Sequence, residues 1–228
     1  MSRETVVLED GIVDDRVSEA GQVPPWLPSE PGDRGEPPFE EPNRQPVIDA
    51  ARLGMLIFLG SETMLFAGFV AAFLVFRLGT PVWPPPFQPR LPVEVTGVNT
   101  AVLLLSGYTM WRALRALRYG DRAGLARGLA QTAVLGVTFL GVQGYEWGRL
   151  LEFGLTASSG VYGGTFYTLI GAHAAHVLAA LTWLSIVFIG ARRGWYTAED
   201  HAGVSLCGMY WYFVVALWPI LYTLVYLA

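Results

Sequence analysis

Apolar and polar positions divide this chain into two unlike parts. Residues 1–50 mix acids, arginines and prolines with scattered apolar residues. From Leu53 onward five apolar stretches follow, at approximately 53–76, 95–117, 128–148, 161–190 and 204–227. Each is long enough to cross about 30 Å of hydrocarbon at about 1.5 Å per residue. The pattern predicts an all-α fold, a polytopic membrane bundle of five transmembrane helices over 51–228. An extended, disordered tail over 1–50 is expected to precede it. No internal repeat of the inverted-repeat transporter kind is evident.

Composition sharpens the division. The chain is 53% hydrophobic and 15% charged, against about 25% charged in an ordinary soluble domain. The first fifty residues hold twelve of the nineteen acids and eight of the fifteen prolines. A stretch such as Pro24-Pro25-Trp26-Leu27-Pro28 cannot bury enough apolar surface to offset its ordering entropy. No basic region leads into an apolar run there, so a cleaved signal peptide is not expected. Trp26 and Phe39 are candidate anchors on a partner subunit if the tail acts as a docking arm. The net charge of −4 argues against a nucleic-acid partner. The single cysteine, Cys207, excludes a disulfide framework and any multi-cysteine metal site.

Charge also sets an expected orientation. Arg112, Arg115, Arg118, Arg122 and Arg127 gather from the close of the second stretch to the start of the third, around their connector, and Arg192 and Arg193 lie between the fourth and fifth. The positive-inside bias places both connectors in the cytoplasm. Five spans then put the N-terminus inside and the C-terminus outside. The first connector, with Trp83-Pro84-Pro85-Pro86, becomes an outer loop of polyproline type. Arg112, Arg115, Arg192 and Arg193 are the candidates for contacts with anionic lipid headgroups.

Polar residues inside the stretches carry the candidate chemistry. Glu62 lies nine residues after Leu53, about 14 Å into a span of about 30 Å. An ionised carboxylate at that depth costs about 3 kcal/mol on insertion scales. Three roles stay open for it: a proton relay, a contact to a partner subunit or lipid, or a neutral acid hydrogen-bonded within the bundle. Gln143 and Glu146 sit three apart on one face of the third stretch, as do His173 and His176 in the fourth. Together these four are expected to form a structural polar network. They are a poor metal set. Both intramembrane histidines belong to one helix, and a carboxylate di-metal site needs acids from several helices at one depth. The expectation is no catalytic residue, no bound cofactor and no metal in this chain.

The order of motifs resembles subunit III of the haem–copper respiratory oxidases. Gly54-Met55-Leu56-Ile57-Phe58-Leu59-Gly60-Ser61-Glu62 is similar to that family's Gly-x-x-x-Phe-x-x-Ser-Glu, and Trp83-Pro84-Pro85 to its outer Trp-Pro-Pro. Asn99-Thr100 with Ser106-Gly107, and Gln143 with Glu146-Trp147, are similar to its next two helices. Gly160 to Phe166 resembles its glycine-tyrosine-glycine helix entry, and Gly171-Ala172-His173-Ala174-Ala175-His176-Val177 its paired-histidine motif. Tyr210-Trp211 and Trp218 match the last helix. The resemblance covers roughly 50–228. Three positions depart from it: Ala174 replaces a glycine, and Tyr212 and Val215 stand where the family has histidine and aspartate.

The resemblance implies a non-catalytic subunit that supports assembly, lipid binding and proton uptake by the catalytic subunit. Haem and copper are then expected in the partners, subunit I and subunit II, and structural phospholipids around this chain. A larger respiratory supercomplex is a further expected setting, in a bacterial-type inner membrane. Glu62 would be the family's intramembrane acid beside the catalytic subunit. An accessory subunit of a quinol oxidase or nitric oxide reductase, and an independent proton-coupled transporter, are the alternatives.

Overall fold

The computed structural model describes residues 49–83, 91–197 and 201–227. Within them every regular element is helical: α1 (Ala50–Leu78), α2 (Val93–Arg118), α3 (Arg122–Glu152), α4 (Val161–Arg192) and α5 (Ala202–Tyr222). α5 runs into a π-helical turn over Thr223–Leu227. The five helices fall on the five apolar stretches, extended by a few residues at most ends. Residues 1–48, with Trp26 and Phe39, lie outside the described residues, as do Pro84 to Arg90.

Among the described residues four helices qualify as membrane spans by length and apolarity, against the five expected: α1, α3, α4 and α5 with its π turn. α2 is 26 residues long, about 39 Å, yet its average apolarity is lower. The reason is a polar stripe turned inward. Thr96, Asn99, Thr100, Ser106 and Thr109 are all buried in the bundle, while Val98, Leu104, Leu105 and Tyr108 face outward. Their positions on the helix, and not their number, decide what surface α2 presents.

The helix ends follow from local sequence. Gly120 takes a left-handed conformation (φ 72°) just past α2. Its N–H donates to the Leu117 carbonyl and that of Asp121 to the Ala116 carbonyl, the two bonds of a Schellman stop. Asp121 then starts α3, its side chain accepting from the Gly124 N–H at 2.8 Å. Gly194 ends α4 in the same way. Asp121→Ala is expected to cost about 1 kcal/mol, read as a lower melting temperature in detergent; an unchanged melt would show that the cap contributes nothing. Within α5, Pro219 has no N–H to donate, and the wider π turn follows four residues later. The Arg77 guanidinium donates to the Leu224 carbonyl at 3.1 Å and so covers a backbone acceptor that the helix end leaves unmatched.

α2 and α3 share the most extensive interface, and α4 and α5 complete the compact part of the bundle. α1 packs on α4 and α5 and buries only Met55, Phe66 and Phe73. Much of its remaining surface, including Leu53, Ile57, Met64, Leu65, Val75 and Leu78, is exposed. In a bilayer such a surface meets lipid or a partner helix.

Candidate functional site

Glu62 and His176 are both near the middle of their helices, and the packing of α1 on α4 brings them together. The carboxylate Oε2 is 2.9 Å from the imidazole Nε2, and both side chains are mostly buried. Nδ1 of the same ring lies 2.7 Å from the Ala172 carbonyl oxygen. A carbonyl only accepts, so Nδ1 carries a proton and donates it. The Nε2–Oε2 contact then holds one further proton between them. Either a protonated Glu62 donates to a neutral ring, or a charged ring donates to the carboxylate. In both states the pair is neutral as a unit, which removes the cost of a lone charge at this depth.

The surroundings fix this geometry. Phe66, one turn along α1, places its ring edge-on to His176 at 5.0 Å between centroids. The hydroxyls beside Glu62 do not complete its shell. Ser61 donates to the Phe58 carbonyl and Thr63 to the Leu59 carbonyl, each at 2.7 Å within their own helix.

Among the described bonds, the other three residues of the expected network make none to Glu62 or His176. Gln143 donates from Nε2 to the Tyr226 hydroxyl at 3.2 Å, tying α3 to the π turn. Glu146 is buried within electrostatic range of Tyr226. His173 is fully buried and stacks on Trp218 at 4.9 Å, with Phe139 edge-on to it at 6.3 Å. Neither of its ring nitrogens has a hydrogen-bond partner among the described residues. The two histidines, three apart in sequence, therefore serve different surroundings. His176 meets an acid from α1, and His173 meets an indole from α5.

The four candidate headgroup arginines lie at one end of the bundle, all exposed. Arg115 sits over the Trp111 and Tyr119 rings, Arg192 over Phe188 and Arg193 over Trp195. Such stacking holds the guanidinium near an aromatic belt. Among the described residues no group of three or more His, Cys, Asp or Glu side chains could hold a metal ion.

One arrangement escapes residue-by-residue reading. Trp211 and Trp218 lie two turns apart on α5, and each indole N–H donates to a hydroxyl of α2. Trp211 reaches Ser106 Oγ at 3.2 Å, and Trp218 reaches Thr100 Oγ1 at 2.9 Å. Asn99 adds a bond from Nδ2 to the Phe139 carbonyl of α3 at 3.0 Å. The seven-residue spacing of the tryptophans, set against the six-residue spacing of the hydroxyls, was the available signal. Val215 lies against Gly107: a Cβ added there would sit 3.3 Å from its Cγ1. An apolar methyl fills the contact at this departure from the family pattern.

A helical bundle with several long apolar helices and an acid–imidazole pair halfway along two of them defines a polytopic membrane protein. The family model described as cytochrome c oxidase subunit III matches residues 36–228, starting upstream of the motifs. Proteins named cytochrome c oxidase subunit 3 align with most of the chain. The one from Synechocystis is 37% identical over 180 residues, covering 78% of this chain and 76% of its own. That of Cyprinus carpio is 36% identical over 194 residues, 82% and 73% respectively, and that of Loxodonta africana 37% over 188, 79% and 71%. The chain belongs to the cytochrome c oxidase subunit III family.

Proposed function

We propose that this chain is the non-catalytic membrane subunit III of a haem–copper oxidase. In that role it braces the catalytic subunit, holds structural lipid and supports proton uptake. The observation that carries this reading is the family match over 36–228, together with the joining of two family motifs in the Glu62–His176 pair. The relatives' names favour a cytochrome c oxidase over a quinol oxidase, a nitric oxide reductase or a transporter.

α2 is proposed as the fifth span. It packs between helices that qualify as spans and directs its polar stripe inward. Of the ten arginines in the described residues, eight lie at the end that holds the start of α1 and α5 and the close of α2 and α4; Arg77 and Arg149 lie at the other. By the positive-inside bias the arginine-rich end is cytoplasmic, with the chain in a bacterial inner membrane. The exposed face of α1, which carries Glu62 at its edge, is the proposed contact for subunit I. Haem and copper belong to subunits I and II, and a supercomplex is the larger setting proposed for the assembly.

Affinity purification of the tagged chain in mild detergent tests the reading. The expected eluate contains a large multi-helix partner and shows haem bands in a reduced-minus-oxidised spectrum. A colourless eluate without that partner would overturn it.

A further inference from the structure

A cavity of about 480 Å³ opens at the arginine-rich end, between the start of α1, the close of α2 and the start of α5. Its polar lining includes Arg52, Arg118, His201 and Tyr212, and its apolar lining includes Leu56 and Leu114. No carboxylate among the described residues lines it. Among the described residues neither Arg52 nor Arg118 has an ion-pair partner. Nδ1 of His201 and the hydroxyl of Tyr212 are buried without a hydrogen-bond partner among the described residues. Unmatched buried polar atoms are rare in folded proteins and call for a partner that completes them.

We infer that this cavity binds the phosphate headgroup of an anionic phospholipid. Two guanidiniums at one mouth supply charge and planar donor forks suited to a phosphate. His201 and Tyr212 stand in the wall of the cavity, and a phosphate ester or a glycerol hydroxyl satisfies their polar groups once the two side chains turn toward it. The leucines carry the cavity onto the apolar flank of α1, where Leu53 and Ile57 are exposed. That continuity selects an amphiphile over a free anion: a soluble phosphate would satisfy the arginines and leave the leucine wall wet. The site lies apart from Glu62 and His176 and uses none of Arg112, Arg115, Arg192 and Arg193. It deepens the oxidase reading by naming one lipid position at the arginine-rich end.

The test compares two variants of equal charge in the full chain, purified with its partners and reconstituted in nanodiscs of phosphatidylglycerol or phosphatidylcholine. Native mass spectrometry counts retained lipid. Arg52→Gln with Arg118→Gln is expected to lower phosphatidylglycerol retention about tenfold or more, with little change for phosphatidylcholine. Arg122→Gln with Arg127→Gln, which removes the same charge from the exposed start of α3 at the same end, is expected to stay within about twofold. Tyr212→Phe deletes one hydroxyl without perturbing charge and is expected to weaken retention severalfold. Equal loss in the two arginine pairs would overturn the site in favour of a diffuse charge effect. Displacement of the lipid by millimolar inorganic phosphate would overturn the lipid as its ligand. Unchanged retention in Tyr212→Phe would overturn the placement of the headgroup in this cavity. Haem recovery is expected to be unchanged in all three variants, so failure of the lipid site is distinguishable from failure of the oxidase reading.

Discussion

His176→Ala is expected to loosen α1 from the bundle, whereas Glu62→Gln leaves it docked. The contrast follows from the proton count of the pair. Nδ1 of His176 donates to the Ala172 carbonyl, so in the neutral ring Nε2 is an acceptor. A glutamine amide at position 62 donates to that acceptor as a protonated carboxyl would. Alanine at position 176 leaves Glu62 without its partner on a helix that buries only three of its own residues. Breaking a mostly buried pair from one side costs about 3 kcal/mol. Glu62→Ala strands the ring instead and is expected to destabilise by a similar amount. In the double variant nothing polar is stranded, so its loss is expected to fall below the sum of the two single losses by about 2 kcal/mol. Thermal unfolding in detergent gives the four corners of this cycle, and recovery of haem with the tagged chain reports whether α1 still meets its partner. Additive single losses would show that the two groups do not depend on each other. Wild-type melting and haem recovery in both His176→Ala and Glu62→Ala would remove any role for the pair.

How far the sequence anticipates this arrangement depends on the scale of the feature. Helix positions are legible because an apolar run of membrane length leaves few alternatives, and the Gly120-Asp121 pair marks a stop and a start in adjacent residues. Glu62 is legible as an isolated acid inside such a run. Its partner is not. His173 and His176 have the same type and share a motif, and only the packing of α1 on α4 separates the one that meets the acid from the one that meets Trp218. The expectation of one network through Gln143, Glu146, His173 and His176 rested on spacing within single helices, whereas the described bonds of Gln143 and His176 to other helices depend on crossing geometry. α2 illustrates the same limit in reverse. Its polar residues lower its apolarity, yet Thr100 and Ser106 receive the indole N–H groups of α5, and Thr109 shares a hydrogen bond with Thr132 of α3 at 2.8 Å. A polar group that finds a partner inside the bundle has no quarrel with lipid outside it. Composition alone cannot separate that case from a helix too polar to insert.

Gly128→Leu is expected to be among the most damaging single substitutions in the bundle. At this point α2 and α3 approach so closely that a Cβ on residue 128 would lie 2.7 Å from the Cβ of Ala113, 2.9 Å from its Cα and 3.0 Å from its backbone nitrogen. The obstacle is mainly backbone, which cannot turn aside as a long side chain can. Gly128→Ala is therefore expected to cost about 2 kcal/mol by overpacking, and leucine more, because it must part the two helices. The same helix supplies its own controls. At Gly141 and Gly144 an added Cβ meets nothing within 4 Å. Alanine there adds no clash and gains helix propensity, so each change is expected to be neutral or to stabilise by up to about 1 kcal/mol. Melting temperatures of the purified chain should separate Gly128→Ala from the two controls by several degrees. Separation of α2 from α3 would also part Asn99 from the Phe139 carbonyl and Thr109 from Thr132, so the leucine variant is expected to lose cooperativity as well as stability. A melt of Gly128→Ala indistinguishable from Gly141→Ala would mean that the α2–α3 crossing has slack, and that small residues there are not what holds the two helices together.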